Sequence, residues 1–107
     1  MPDHSVHIRI HLSEQYGTEQ QRQHVLSVED KLRVVVSASG VGKVDGHGFG
    51  FELAELFLYG PDADQLYSTI EPLLRAAFEA HRVEVTLMYG SASDPEVREV
   101  TFNLSAK

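Results

Sequence analysis

The sequence contains no cysteine and no tryptophan. Without cysteine the chain can form no disulfide, no thiolate metal site and no thiol nucleophile, which excludes three classes of small protein. Basic side chains are also few: 9 lysines and arginines stand against 16 aspartates and glutamates, and the net charge is −7 with neutral histidines. A chain this acidic gains little by releasing counterions from a phosphate backbone, so we expect no nucleic-acid partner.

Long apolar runs are missing as well. The first fifteen residues contain charged and histidine side chains at short intervals and lack the apolar core of a signal peptide. No segment approaches the ~20 apolar residues of a membrane-spanning helix. We therefore expect a cytoplasmic protein with no membrane partner. Its length of 107 residues predicts a single domain over 1–107, and 42% apolar residues suffice for one core.

Five segments have the character of strands. Apolar and polar residues alternate in four of them, as in strands with one buried face: 6–12, 52–59, 83–89 and 97–104. A fifth, shorter strand is predicted over 41–48, inside a glycine-rich segment, with a turn near 48–51. Asp45-Gly46 is a further turn signal. The alternative is one continuous strand over 41–59.

Two segments show apolar residues at helical spacing. The first begins with the capping box of Thr18 and Gln21, reaches about Ser39 and stops at Gly40. Its three consecutive valines favour a strand. A second possible cap at Ser27 would split the helix, but the unbroken apolar period predicts one helix.

The second predicted helix begins at Asp62, which with Gln65 has the form of a second capping box. Its apolar stripe runs to Phe78. Pro72 lies inside the stripe and lacks a backbone N–H, so we expect it to kink the helix or to divide it after Ile70.

The order of these elements is β-α-β-β-α-β with an added C-terminal strand. It predicts an α+β fold, a ferredoxin-like plait with two helices on one face of a mostly antiparallel sheet. In this topology Tyr59 and Tyr89 end two strands that flank the first strand, near His7. The second helix opens at the same edge, at Asp62, and its free N–H groups attract anions. This edge is the first candidate site for a small ligand or a contact.

Asp45 and His47 form the second candidate, a loop with two possible metal ligands and no third. His7 and His11 lie ~13 Å apart on a strand, too far for one ion. Gly42-Lys43 lacks the preceding glycine and the following serine or threonine of a phosphate loop, so the glycines here are interpreted as serving positive φ in turns. We expect no metal, no cofactor and no catalytic residue.

The open face of the predicted sheet combines polar and apolar side chains. It carries His7, Arg9, His11, Phe57, Met88 and Thr101, with Glu55 and Glu84 beside them. A partly apolar open face commonly pairs with a second copy or with another protein. The sequence therefore predicts a homodimer or a protein partner.

Three motifs resemble those of a group of short, uncharacterised bacterial proteins. They are a V-D-G-x-x-x-G loop at 44–50, a strand end Y-G-P-D-A-D at 59–64 and an I-x-P-x-L helix at 70–74. The resemblance covers roughly residues 28–90 and supports the plait. It implies no activity, but it suggests that certain residues matter: Asp45, Gly46, Tyr59, Gly60, Pro61, Asp62 and Asp64.

Three functional hypotheses follow. The first is a small binding or interaction module that self-associates and has no catalysis of its own. The alternative is a small ligand sensor or enzyme that uses the Tyr59, Tyr89 and His7 edge or the Asp45–His47 loop. A third is an antitoxin-like partner whose acidic surface masks a basic protein.

Overall fold

One five-stranded sheet carries both helices of the protein. The computed structural model describes residues 4–79, 81–91 and 93–104. Along the chain the elements are β1 (His4–His11), α1 (Glu19–Ser39), β2 (Lys43–Gly50), β3 (Leu53–Gly60), α2 (Ala63–Ala77), β4 (Val83–Met88) and β5 (Glu99–Asn103). The sheet order is β2-β3-β1-β4-β5, and neighbouring strands are antiparallel. This is the predicted ferredoxin-like plait with an extra strand.

The core lies between the helices and one face of the sheet, which we call the covered face. On β1, Val6, Ile8 and Ile10 are completely buried, while the residues between them are not. The helices add apolar stripes at three- and four-residue spacing, such as Leu66 and Ile70 of α2. The alternation predicted from the sequence therefore sorts each strand correctly into a buried and an unburied face. Within the described residues, neither helix has the length and apolar character needed to cross a membrane.

Helix α1 is continuous, as predicted. The Thr18 hydroxyl accepts a hydrogen bond from the Gln21 backbone N–H at 3.1 Å, and the Thr18 N–H donates to the Gln21 side chain at 3.0 Å. Gly40 ends the helix in the left-handed conformation, with φ of 65°. Both caps identified in the sequence are thus confirmed, and the local β preference of the valines is overridden by burial of one side of the helix.

Of the two effects expected of Pro72, a kink or a division of the helix, helix α2 excludes the division. The helix runs unbroken through the proline to Ala77. Pro72 and Ser68, whose carbonyl would otherwise accept the missing N–H, are both exposed, so water can satisfy that carbonyl. Buried residues on both sides of the proline, Ile70 and Leu74, hold the two halves on the same sheet.

The β2–β3 hairpin confirms the predicted pair of strands and corrects the interpretation of Asp45-Gly46. The alternative of a single strand over 41–59 is wrong, because Phe51 and Glu52 form a two-residue turn between β2 and β3. Their φ angles of 55° and 65° suit a type I′ hairpin turn, which usually holds asparagine or glycine. Asp45-Gly46 is not a turn: the β2 register shifts there, between Val44 and Gly46, as a bulge.

Candidate functional site

The six residues singled out from the sequence lie in separate surroundings. Ser5 pairs with both Tyr59 and Met88, so Tyr59 and Tyr89 are at the same end of the sheet. Side chains alternate between faces, however, and the two tyrosines fall on opposite ones. The remaining residues are His7 on the face away from the helices, Asp62 at the start of α2, Asp45 at the β2 bulge and His47 on the side of β2 that meets α1.

Tyr89 is held against the start of α2. Its hydroxyl donates to the Asp64 carboxylate at 2.6 Å, and the Arg98 guanidinium lies 4.5 Å above its ring. The hydrogen bond to Asp64, together with burial, raises the pKa of the Tyr89 hydroxyl above its usual value. Tyr89 is thus a neutral donor that fastens the loop before β5 to α2.

The first N–H groups of α2 already have acceptors within the chain. Nδ1 of His4 accepts the Ala63 N–H at 3.0 Å, and the Asp62 carboxylate accepts those of Asp64 and Gln65 at 3.0 and 3.2 Å. An anion at this helix start would have to displace these internal partners. The residues at this edge therefore cap helix α2, and these N–H groups are not free to bind a ligand.

His47 contacts a buried carboxylate that the sequence reading missed. Its Nδ1 lies 2.8 Å from Oε1 of Glu29, whose side chain is only 6% exposed. Arg33 donates from Nη2 to the same carboxylate at 3.2 Å and from Nη1 to the Val44 carbonyl at 2.8 Å. A signal was present: Glu29 lies four residues after Val25, within the apolar stripe of α1. Asp45 is exposed at the bulge, outside this network.

The face of the sheet away from the helices, which we call the open face, carries a connected polar network. Nε2 of His7 lies 2.6 Å from the Glu55 carboxylate, and Arg9 Nη1 donates to Glu84 at 3.2 Å. The same Arg9 nitrogen donates to the Thr86 hydroxyl at 3.2 Å. In the register Arg9 lies opposite Glu55 on one side and Glu84 on the other, so its charge lies close to a carboxylate on each neighbouring strand.

Burial lowers the pKa of His7 below its usual value, with the Arg9 charge as a further cause, against the opposing effect of Glu55. The lowered pKa favours the neutral form of His7 at pH 7. Its ring also stacks on Phe57 with centroids 4.6 Å apart. The open face contains the residues that the sequence assigned to it, and it is partly apolar as expected, because Phe57 and Met88 lie there among the paired polar side chains.

The β2 strand contributes bare backbone to the open face. Gly46 and Gly48 pair with Phe57 and Glu55, which places them on that face. A Cβ at either glycine would meet no heavy atom within 4 Å, and neither residue has a positive φ. The interpretation that these glycines serve turns is wrong for this pair. At Gly42, by contrast, φ is +150° and a Cβ would clash with the Tyr59 carbonyl.

No metal centre is formed by the part of the chain that the structure describes, because it contains no group of three histidine, aspartate or glutamate side chains in suitable positions. Comparison with family models, curated proteins and solved structures gave no match to the chain. The resemblance to short bacterial proteins stays a prediction, and the functional argument rests on the geometry.

Proposed function

We propose that the protein is a small binding module that pairs with a second copy of itself through the open face. The observation that carries the proposal is the polar network of that face. The charged side chains at its centre, Arg9, Glu55 and Glu84, are half-buried and paired within the face, although no element covers them. A partner can cover this centre without leaving those charges buried and unpaired, which is the main penalty of covering charges.

The charge of the open face also favours self-association. It carries two basic side chains, Arg9 and Lys43, and three acidic ones, Glu55, Glu84 and Glu99. The whole chain has a net charge of −7, so most of its negative charge lies on other surfaces. Two copies that meet through the open face therefore bring together their most nearly balanced surface, where mutual repulsion is smallest.

The size of the open face is adequate for a dimer of modest affinity. Five strands about 4.8 Å apart and about seven residues long span a flat footprint of roughly 500 Å². Two such footprints total about 1,000 Å², the low end of specific protein interfaces, which fits a weak dimer. The bare backbone at Gly46 and Gly48 gives the partner's side chains room to approach.

A substitution at Gly48 tests the proposal. Gly48→Lys places a long side chain on the open face, opposite Glu55 on the neighbouring strand, at a position where a Cβ meets no heavy atom within 4 Å. We expect the fold to be kept and the dimer to be lost. Val34→Lys is the matched control, because it makes the same change of charge on an exposed position of α1.

Sedimentation velocity and light scattering at tens of micromolar would measure the outcome. We expect wild type and Val34→Lys to show twice the chain mass of 11.9 kDa, and Gly48→Lys to show the monomer mass. A monomeric wild type would contradict self-association. A dimer that survives Gly48→Lys would contradict the open face as its contact surface.

The alternative, a ligand sensor or enzyme at the Tyr59 and Tyr89 edge, has less support. The two tyrosines project from opposite faces of the sheet. The first N–H groups of α2, which open at the same edge, already have acceptors within the chain. A convergent set of free polar groups, which such a site needs, is not formed by these residues.

A further inference from the structure

The network of Glu29, Arg33 and His47 lies outside the open face and is not explained by self-association. Glu29 occupies a position in α1 where an apolar residue would pack against the sheet. Burying a carboxylate is unfavourable unless charged partners compensate, and replacing a buried ion pair by apolar residues is often neutral or stabilising. The stability of the fold therefore does not explain why a glutamate occupies this position.

The geometry sets the tautomer of His47. Arg33 Nη2 donates to one oxygen of Glu29, and the other oxygen lies 2.8 Å from Nδ1 of His47. Because a carboxylate only accepts hydrogen bonds, the neutral imidazole must carry its proton on Nδ1. Nε2 is then left with a free lone pair. Within the described residues no group bonds Nε2, and the His47 side chain is 37% exposed.

The other histidines provide an internal comparison. Nε2 of His7 is taken by Glu55, and Nε2 of His24 is taken by the Ala77 carbonyl. His4 uses Nδ1 as an acceptor from the Ala63 N–H. Among the described residues, His47 alone combines an Nδ1 supported by a buried carboxylate with an unbonded Nε2 on a side chain that is 37% exposed. A carboxylate behind a histidine fixes the orientation and the tautomer of its ring, so that the opposite nitrogen points its lone pair outward.

From these contacts we propose that His47 is a phosphoryl-accepting histidine, with Nε2 as the nucleophile and Glu29 as its positioning residue. The donor class is an acyl phosphate. The Nε2 lone pair forms the N–P bond while the P–O bond to the acyl group breaks, and its electron pair leaves with the carboxylate product. The Nδ1 proton stays on the ring, so the ring becomes positive. This charge develops 2.8 Å from the Glu29 carboxylate, which stabilises it.

Arg33 favours a phosphoryl group over an uncharged electrophile. Its guanidinium is half exposed and donates two N–H groups, to Glu29 and to the Val44 carbonyl, so further N–H donors remain on a cation that shares the Glu29 carboxylate with His47. Guanidinium groups are strong partners of phosphate oxygens. Phosphorylation would require no rearrangement of the Nδ1 contact, because that contact is made on the opposite side of the ring.

Acetyl phosphate, incubated with the full chain, is the probe. Intact mass and peptide mapping under neutral conditions would locate the product. We expect the mass of one phosphoryl group on His47, formed at least about tenfold faster than on His11 or His24. His47→Gln should abolish this product. Glu29→Gln should slow it by about tenfold, as is typical when the group behind a reactive or ligating histidine is changed. His11→Gln is the control and should leave the rate unchanged.

A nitrogen-correlated NMR spectrum separates positioning from a merely structural role. In the wild type we expect His47 as the Nδ1-protonated tautomer, and in Glu29→Gln a shift toward the other tautomer with the fold retained. If Glu29→Gln does not fold, the proposal can still be tested on the wild type, by the tautomer seen in its spectrum and by the relative rates at which its histidines are labelled. Acetylation in place of phosphorylation, equal labelling of several histidines, or an Nε2-protonated His47 would each overturn the proposal.

Discussion

The two faces of the sheet are built from alternate residues of the same strands, yet they are stabilised in different ways. On β1, Ile8 is completely buried beneath the helices, whereas its neighbours His7 and Arg9 retain 23% and 31% of their side-chain exposure with no element above them. The covered face is dry because other elements lie on it. The open face is half-buried only because charged side chains of adjacent strands lie against one another.

Because of this difference, the covered face provides most of the stability, whereas the open face is available for binding. Each apolar side chain on the covered face contributes about 1.5–3 kcal/mol through burial, while each half-exposed ion pair on the open face contributes at most about 1 kcal/mol. The open face can therefore change its contacts without loss of the fold, and the covered face cannot. Four predictions test this contrast.

The largest effect is expected on the covered face. Ile8→Ala removes a fully buried side chain from the central strand and leaves a cavity, which should lower the free energy of unfolding by about 3–4 kcal/mol. Urea denaturation followed by circular dichroism would measure the change. Arg9→Ala, the adjacent residue on the open face, should cost about 1 kcal/mol. Equal losses in the two variants would contradict the contrast between the faces.

Thr86 is the point where the open face most resembles a core, since its side chain is nearly buried and its hydroxyl bonds Arg9 and Thr101. Thr86→Val keeps the shape and removes both hydrogen bonds, which should destabilise the protein by about 1–2 kcal/mol. Thr101→Val, on the exposed strand β5, loses the same Thr–Thr contact and should change stability by less than about 0.5 kcal/mol. A Thr86→Val protein as stable as wild type would show that the network is incidental.

The turn of the β2–β3 hairpin belongs to neither face. Substitutions there test how backbone conformation alone contributes to the free energy of unfolding. Phe51 and Glu52 both adopt positive φ, which disfavours side chains with a Cβ. Replacing the pair by Asn-Gly should raise the free energy of unfolding by about 1 kcal/mol. Phe51→Ala removes the exposed ring but keeps the Cβ, so it should have little effect. If Phe51→Ala stabilised as much as Asn-Gly, ring exposure rather than φ would be the cause.

The smallest effect is a loss of stability on acidification from pH 7 to about pH 5.5. Burial lowers the pKa of His7 and of His81, and the nearby His24 lowers that of His81 further. Below the unfolded value of about 6.5 the unfolded chain binds more protons at these positions, so stability falls with pH until the lower folded pKa is passed. Denaturation at several pH values should show a shallower slope in His7→Gln and in His81→Gln. A stability that rises over this interval would contradict both pKa directions.

Most of the fold could be predicted because its signals are local. The alternation in β1, the capping box at Thr18 and the stop at Gly40 each act over a few residues and appear unchanged in the structure. The composition of the open face was also predictable, because antiparallel pairing of alternating strands leaves little freedom once the strand order is known. The sequence could not show that Pro72 leaves α2 undivided, because the penalty of a proline depends on whether the freed carbonyl faces water, which is a property of the assembled fold.

The candidate site was less predictable than the fold. His47 was selected for its nearness in sequence to Asp45, but its partner Glu29 lies 18 residues away on another element. Tyr59 and Tyr89 were placed at the correct end of the sheet. The face of the sheet from which each side chain projects, however, depends on the residue at which each strand ends. Contacts between residues distant in sequence leave no period or spacing that a single chain could reveal.

By itself the sequence determined the elements, their buried stripes and the α+β topology, because backbone geometry and burial of apolar surface act through spacing along the chain. Only the tertiary structure decided which charges meet. It paired His7 with Glu55 and His47 with Glu29, and it left Gly46 and Gly48 above open space. The physical reason is that electrostatic and hydrogen-bond energies depend on distances of a few ångströms, which exist only after the strands are in register and the helices have docked.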